Sequence, residues 1–499
     1  MSHLASIRSS ILIGWLVMVA LLLRFEAFPE FFTSTIEGYG GFLDHNIMIE
    51  DRWTKLLFKD QPIGYSLSSI VITEGDPKKY YTIKNDVYVR FRALGLDQPI
   101  FVSTLANVDA LEVLRRFKFS LNSGAYSMQI VGYRIDERRF NVFTTTGTSR
   151  QKRVVEIPDD VILYSPMTEM GLRRMKPGQE LTIKTLDPAS MTPSRLVVRA
   201  IRKEPFVHEG QEVQATLLES DYQGATIRSW MGEDGLLLKQ ETPFGWSMVS
   251  CSAEEALVSA GKEGYSGDLL AELAIRCQGH IEDPRAAKGL RLRLTGVAVD
   301  PKRLESNRQK VVRADKEGIE LLISSSPKPG RLEMRATGDT NLVPYLAATP
   351  FVQADHPEMI KRAQKITKGI DDDAEKAQAI FDWVDERVDN VMTISLPSAL
   401  DVLRTLKGDC NEHTYLFTAL ARSAGIPAKI IVGVAYHEKA FYYHAWPAVY
   451  LGEWVEMDPT WSERAVDATH IKIAEGELAN QMELMKFVGQ AKIEVLEQL

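Results

Sequence analysis

Between Asp51 and Val249 the sequence is a succession of short runs in which apolar and polar residues alternate. Among them are YTIKNDVYVRF, YSMQIVGYRI, FNVFTTTG, LTIKTL, RLVVRAI and ATIRSWM, each broken off by Gly, Pro or Asp. A period of two puts successive side chains on opposite faces of an extended backbone, so these runs read as strands. Their even spacing and the scarcity of helical periods predict a large antiparallel sheet or an open barrel, in one unit or two. Trp53, Trp230, Trp246 and His208 fall inside this pattern and are read as ordinary sheet-face residues.

At 499 residues the chain is long for one core, and its patterning divides it into five stretches. Residues 1–28 read as an N-terminal signal anchor, 45–250 as a β-rich domain, and 251–345 as a connecting α/β module. Residues 346–480 read as a domain that opens on helices, and 481–499 as a C-terminal helix. In the connecting module Ser252 to Ile275 is expected to be helical, with RLRLTGVAV and IELLISSS as strands. The helical pattern near the C-terminus runs from Ala474 to Leu499 through Leu478, Met482, Leu484, Met485 and Val488, and is expected to dock on the core.

The first residues depart from the rest. Arg8 precedes an uninterrupted apolar run from Ile11 to Leu23, followed by Arg24, Glu26 and Pro29. That run is short against the ~20 residues of a spanning helix, but Ser6 to Phe25 reaches across if Arg24 snorkels to the headgroups. The flank RFEAFPEFF lacks a small-x-small cleavage site and a lipobox cysteine, which favours an uncleaved anchor over a cleaved signal peptide. A buried amphipathic helix would show a period that the run lacks. Arg8 and the amino terminus then stay inside and the bulk of the chain lies on the extracytoplasmic, periplasmic side. A net charge of -8 with no broad basic field argues against nucleic acid as a partner.

Helices with visible caps begin at Asp355, where Asp355 and Glu358 have capping-box spacing around Pro357, and the first should end near Gly369. Asp371 to Asp373 precede a second, with an apolar face of Ala377, Ile380, Phe381, Val384 and Val388 and with Trp383 at its edge. Consecutive carboxylates before a helix are usually N-caps, so they are not assigned to a metal, and no cofactor is expected.

Gly408-Asp409-Cys410 then opens a helix closed by Gly425 and Pro427, on which Thr414, Phe417, Ala421 and Ala424 share a face with Cys410. A cysteine in the first turn sits where unpaired amides and the helix dipole favour negative charge, so its thiolate should be stabilised there. Gly408 allows close backbone approach, and the Cys410 amide is a natural oxyanion donor. Taken alone, such a cysteine is better explained as a small buried hydrophobe. The pattern downstream changes that reading. After KIIVGVAY comes His444-Ala445-Trp446, then AVYL, a turn at Gly452, and EWVEMD ending at Asp458. A nucleophile on a helix, a base on one strand and an orienting carboxylate on the next is what cysteine–histidine–acid catalysis requires. His413, three positions after Cys410, is a rival base, but with Glu412 it is better placed to buttress the helix start. His437 is expected at the surface, and Phe441, Tyr442 and Tyr443 either line a cleft or pack on the helix.

GDCNEH, ALARSAGIPAKIIVGVAY and HAWPAVYLGEWVEMDPTW together resemble the core of the transglutaminase-like superfamily, over roughly Ile380 to Trp461. The resemblance implies an α+β, papain-like fold with Cys410 as nucleophile, His444 as base and Asp458 as the acid that orients it. It also implies a cysteine peptidase, amidase or protein-glutamine acyltransferase acting on protein or peptide amides through a thioester. Members often carry an acidic residue soon after the His-x-Trp step, where this chain has Pro447 and Ala448. The rival reading is a non-catalytic binding or assembly module of the cell envelope that retains the triad. A redox thiol is a weaker alternative, because Cys410 has no resolving cysteine beside it. The other two cysteines, Cys251 and Cys277, are either a disulfide or two separate thiols.

Overall fold

The computed structural model describes residues 34–499 except 37, 41–50, 76–77, 94–95, 124–125, 148, 164–174, 190, 192, 223–224, 244, 262–264, 269–273, 297–298, 331–341, 392–397 and 478–490. The anchor expected over residues 1–28 lies outside these. Among the described residues no helix is long and apolar enough to cross a membrane. Of the described residues 54% are strand and 17% helix, so they are mostly β, with the expected α+β character concentrated in the C-terminal part.

The alternating runs form one sheet. Eight strands from Arg52–Phe58 to Ser149–Glu156 follow one another as antiparallel neighbours, and so do six from Glu180–Leu186 to Trp246–Cys251. The last of the six pairs with the first of the eight, from Trp246↔Phe58 to Cys251↔Trp53. Short parallel pairings of Ser34–Ile36, Ile162–Leu163 and Tyr265–Asp268 bring the described strands of this sheet to 17. Tight turns set the register: Lys59 and Asp60 both have positive φ, as do Glu209 and Gly210, which matches the right-handed strand twist of a two-residue hairpin. Trp53 packs on Tyr65, Trp246 on Phe58, and the Trp230 indole donates to Glu204 at 2.7 Å, all on sheet faces.

Among the described residues of the helix expected over Ser252 to Ile275, Ala253–Gly261 is helical, while Tyr265–Asp268 and Ile275–Gln278 are strands. Gly261, Gly264 and Gly267 fall within seven residues and are poor helix formers.

A second sheet holds β1 (Ile275–Gln278), β2 (Gly289–Thr295), β3 (Gln309–Asp315), β4 (Gly318–Ser324), β5 (Ala428–His437), β6 (Ala440–Tyr450), β7 (Trp454–Glu456), β8 (His470–Glu475) and β9 (Lys492–Gln498). Its order is β3-β4-β2-β9-β1-β6-β5-β8, with β7 on β6. The strands on either side of residue 300 therefore continue the sheet that carries His444. The C-terminal helix expected over 481–499 is corrected here: Ala474 lies in β8, and Lys492–Gln498 is a strand, antiparallel to β2 and parallel to β1. Leu478, Met482, Leu484, Met485 and Val488 lie outside the described residues. Ile493 and Val495 bear β-branched side chains, and the gap between β1 and β2 offers them a full set of backbone partners, which outweighs a weak local helical period.

A helical layer lies on the second sheet: among the described residues, α1 (Pro357–Ile366), α2 (Asp373–Arg387) and α3 (Ala399–Thr405) flank α4 (Cys410–Ser423), which packs on β6 and β5. Asp372 caps α2 through the Ala374 and Glu375 amides, as expected of that triplet. The cap of α1 is not Asp355 but His356, whose Nδ1 accepts from the Glu358 amide at 3.2 Å; Pro357 already holds the first helical position, so the cap falls one residue later.

Candidate active site

Cys410 is the first residue of α4. Asp409 caps the helix: its carboxylate accepts from the Asn411 amide at 3.0 Å, while Glu412 reaches back to the Asp409 amide at 2.9 Å. This reciprocal pair closes over Gly408, where an added Cβ would lie 2.1 Å from Cβ of Glu412. Two contacts then fix α4 against β6. Thr414 Oγ1 donates to the Ala445 carbonyl at 3.0 Å, and the Ala445 amide hydrogen-bonds the Cys410 sulfur. The thiol thus meets β6 one residue from His444.

The position of His444 comes from a hairpin. Glu438 and Lys439, both with positive φ, turn β5 into β6 and set the register in which Gly433 lies opposite His444 and Ile430 opposite Pro447. A side chain at Gly433 would collide with the Ile471 carbonyl at 2.0 Å and with Trp446 at 2.9 Å. The β6–β7 hairpin then returns the chain through Ala448↔Glu456, two residues before Asp458. His444 Nε2 lies 2.7 Å from Asp458 Oδ2, and both side chains are buried. An ionised carboxylate only accepts, so His444 carries its proton on Nε2 and Nδ1 keeps the basic lone pair. The other oxygen of Asp458 accepts from the Thr460 amide at 2.9 Å. Asp458 and Glu463 exchange backbone hydrogen bonds, which closes a turn that lays Trp461 on His444 at 4.2 Å and 13°.

The electrostatics differ from the expected thiolate. Burial pushes the Cys410 thiol well up, and Asp409, Glu412 and Asp458 add to this, against the Ala445 amide alone. The helix start that should favour an anion already holds two carboxylates of its own cap. Burial likewise pushes the His444 imidazole down, against Asp458. Asp458 stays ionised, its carboxyl held far below the usual range by His444 and His470 despite burial. The resting site is therefore a neutral thiol and a neutral imidazole over a fixed carboxylate.

His413 is not a second base: Nδ1 is 2.7 Å from the Asp409 carbonyl and Nε2 3.3 Å from that of Val388, so it buttresses the helix start. His437 is exposed, as expected. Of the three aromatics after it, Phe441 is buried against Tyr436, and Tyr443 donates to Asn411 Oδ1 at 2.7 Å, beside the thiol. Cys251 and Cys277 are free thiols.

Several residues around the site escaped the sequence reading. His470 reaches Asp458 Oδ2 at 3.4 Å, and Arg285 lies over Trp461 at 4.3 Å while bridging Glu463 at 2.9 Å and Asp467 at 2.8 Å. Arg308 pairs with buried Glu456 at 2.7 Å and donates to the His470 carbonyl at 2.5 Å; Glu456 also accepts from Trp446 at 2.8 Å. Trp446, Glu456 and Trp461 belonged to a quoted motif, with no role assigned to them there. Among the described residues two sets have the grouping of a metal site within 4.8 Å, His444 with Asp458 and His470, and Glu463 with Asp467 and His470. They share His470, both of whose nitrogens already face carboxylates, so the geometry is that of hydrogen bonding.

Residues 360–459 match the family model of the transglutaminase-like superfamily. Kyphoscoliosis peptidase of Mus musculus is 30% identical over 118 residues, 20% of this chain and 17% of that protein. That of Homo sapiens is 30% identical over 113 residues, 19% and 17%. The match spans about a sixth of the length of these relatives. Among solved structures, a candidate cysteine protease from Cytophaga hutchinsonii is 19% identical, covering 42% of this chain and 82% of that one at a TM-score of 0.30. The periplasmic domain of TgpA from Pseudomonas aeruginosa, bound to ethylmercury, is 14% identical, covering 39% and 94% at 0.28.

Proposed function

We propose that this chain, whose residues 360–459 match the transglutaminase-like superfamily, is a cysteine hydrolase or acyltransferase acting on protein or peptide amides, with Cys410 as nucleophile, His444 as general base and Asp458 as its orienting acid. The observation that carries this reading is the junction at β6: the Ala445 amide on the Cys410 sulfur, with the adjacent His444 held by Asp458 at 2.7 Å.

As the substrate carbonyl approaches, the thiol proton passes to His444 Nδ1 and the sulfur attacks the carbonyl carbon. The Cys410 amide, in the first turn of α4, stabilises the oxyanion. On collapse the C–N bond breaks, the leaving amine takes the proton from His444, and a thioester remains on Cys410. Water then attacks, giving its proton to His444; the C–S bond breaks, the Cys410 sulfur takes that proton back and the acid leaves, and an amine attacking in place of water gives transamidation by the same steps. In each half-reaction Asp458 stabilises the imidazolium through Nε2. A neutral resting pair suits this sequence, since the charge separates only when substrate has excluded water. The apolar run Ile11 to Leu23 supports an anchored enzyme with its bulk on the periplasmic side, which membrane fractionation with protease accessibility tests.

The direct test is the rate of Cys410 alkylation across pH, beside turnover of a panel of peptide amides. His444→Ala is expected to slow alkylation at pH 7 about tenfold or more, and Cys410→Ser to abolish turnover. A thiol indifferent to His444 and Asp458 would return the chain to the binding-module reading.

A further inference from the structure

Asp458 is shared by two histidines. Beside His444, with ring centroids 5.5 Å apart, the fully buried His470 places Nε2 3.4 Å from the same Asp458 Oδ2 and Nδ1 3.2 Å from Asp467 Oδ1. Asp467 is itself fixed, accepting from the Thr469 amide and hydroxyl at 2.6 Å each and from Arg285 at 2.8 Å. The His470 carbonyl is clamped by Arg308. Both acceptors facing the ring are carboxylates, which cannot donate, and a neutral imidazole has a single N–H. Serving both requires the doubly protonated ring.

We propose that His470 is a positioning residue of the Cys410–His444–Asp458 site: a buried imidazolium that ties Asp458 to Asp467 and divides the Asp458 carboxylate between two rings. The inference takes its catalytic meaning from the function proposed above, but its physical content does not depend on turnover. The groups facing His470 are His444 on β6, Asp458, Glu463 and Asp467 on the turn before β8, and Arg285 beyond them; Arg308 and its partner Glu456 lie at its backbone. The carboxylates prevail over burial, and the His470 ring is pushed up to about 9. Its charge, with that of Arg285, in turn helps to push His444 down. His470 thereby keeps Asp458 ionised and aimed while preventing it from holding His444 as a cation at rest, so that Nδ1 is free when the thiol must lose its proton.

The test is ring NMR of the full chain with carbon-13-labelled histidine, assigned by single His→Gln variants. His470 is expected to stay imidazolium throughout neutral pH and His444 to stay neutral. In His470→Gln the midpoint of His444 should rise by about one pH value, a tenfold gain in proton affinity, while His470→Lys, which keeps the charge, should bring it back towards the native position. A neutral His470 ring at pH 7 in the unaltered chain would overturn the proposal even if the variants fail to fold. So would a His444 midpoint unmoved by His470→Gln, or moved alike by Gln and Lys. Alkylation of Cys410 indifferent to His444→Ala would count against the hydrolase reading alone and leave the ring titrations to judge His470.

Discussion

Asp458 is the residue on which the site turns, because its two oxygens are committed to different tasks: Oδ1 to the Thr460 amide, Oδ2 to His444 and His470. Asp458→Asn preserves the shape but removes the charge that stabilises imidazolium and offers an N–H where His444 needs an acceptor. Turnover should fall on the order of 10³–10⁴ with the fold intact, measured as kcat beside a thermal melt. The same cluster dictates a pH window for stability. Asp458 is depressed, so its contribution is present above its unfolded value near 4 and is lost as pH falls below it. His470 is raised from 6.5 to about 9, so its contribution is full below 6.5 and drains away as pH rises to about 9. Melts from pH 3 to 10 should show stability highest between about 4 and 6.5, and His470→Gln should flatten the alkaline decline.

At the scale of elements, the start of α4 is built by its cap, and the cap leaves no room at Gly408. Gly408→Ala would force the added methyl into Glu412, 2.1 Å away, and either undo the capping box or shift Cys410. A loss of about 2–3 kcal/mol is expected in denaturant unfolding, with altered Cys410 alkylation as the sign that the thiol has moved. The spacing of this cap stands in GDCNEH, where Asp409 went unassigned, and the hairpin that brings His444 to Asp458 was legible because it is written in residues a few positions apart. His470, Arg285 and Arg308 were not: they reach the site from outside the motifs, and no local period marks a residue whose partner is far along the chain. Cys410 opens a helix, as its sequence context suggests, but the carboxylates beside the thiol oppose the thiolate expected there, since Asp409 had been given no role and Glu412 only that of buttressing the helix start. Lys492–Gln498 was lost to the opposite effect, a strand that exists only because β1 and β2 leave it a place.

Across the whole molecule, the large sheet touches the candidate catalytic unit next to the helix that precedes Cys410. Thr146, at the end of strand Arg139–Thr146, donates to Ser398 Oγ, the cap of α3, at 3.3 Å, and Gly147 follows in a left-handed conformation with φ 50°. A Cβ on Gly147 would meet Asp401 Oδ1 at 3.0 Å, so the tip of the hairpin sits directly against α3. Asp401 is the weak point of this contact. Its Oδ2 is buried without a hydrogen-bond partner, and burial pushes its carboxyl up, against Thr146 and Ser398. A native carboxyl raised above its unfolded value binds protons more readily when folded, so stability falls as pH climbs through that interval and stays lower above it. Asp401→Asn removes the charge at nearly constant shape. The variant should gain about 0.5–1 kcal/mol at pH 7, kept small because the half-buried group is screened, and the gain should vanish at about pH 2.5, where the carboxyl is protonated in the folded and unfolded chain alike. Melts of both proteins at the two pH values check this: an equal gain at each would assign it to packing, and a gain at neutral pH alone would identify Asp401 as the charge that loosens the β-rich sheet from the helix beside the nucleophile.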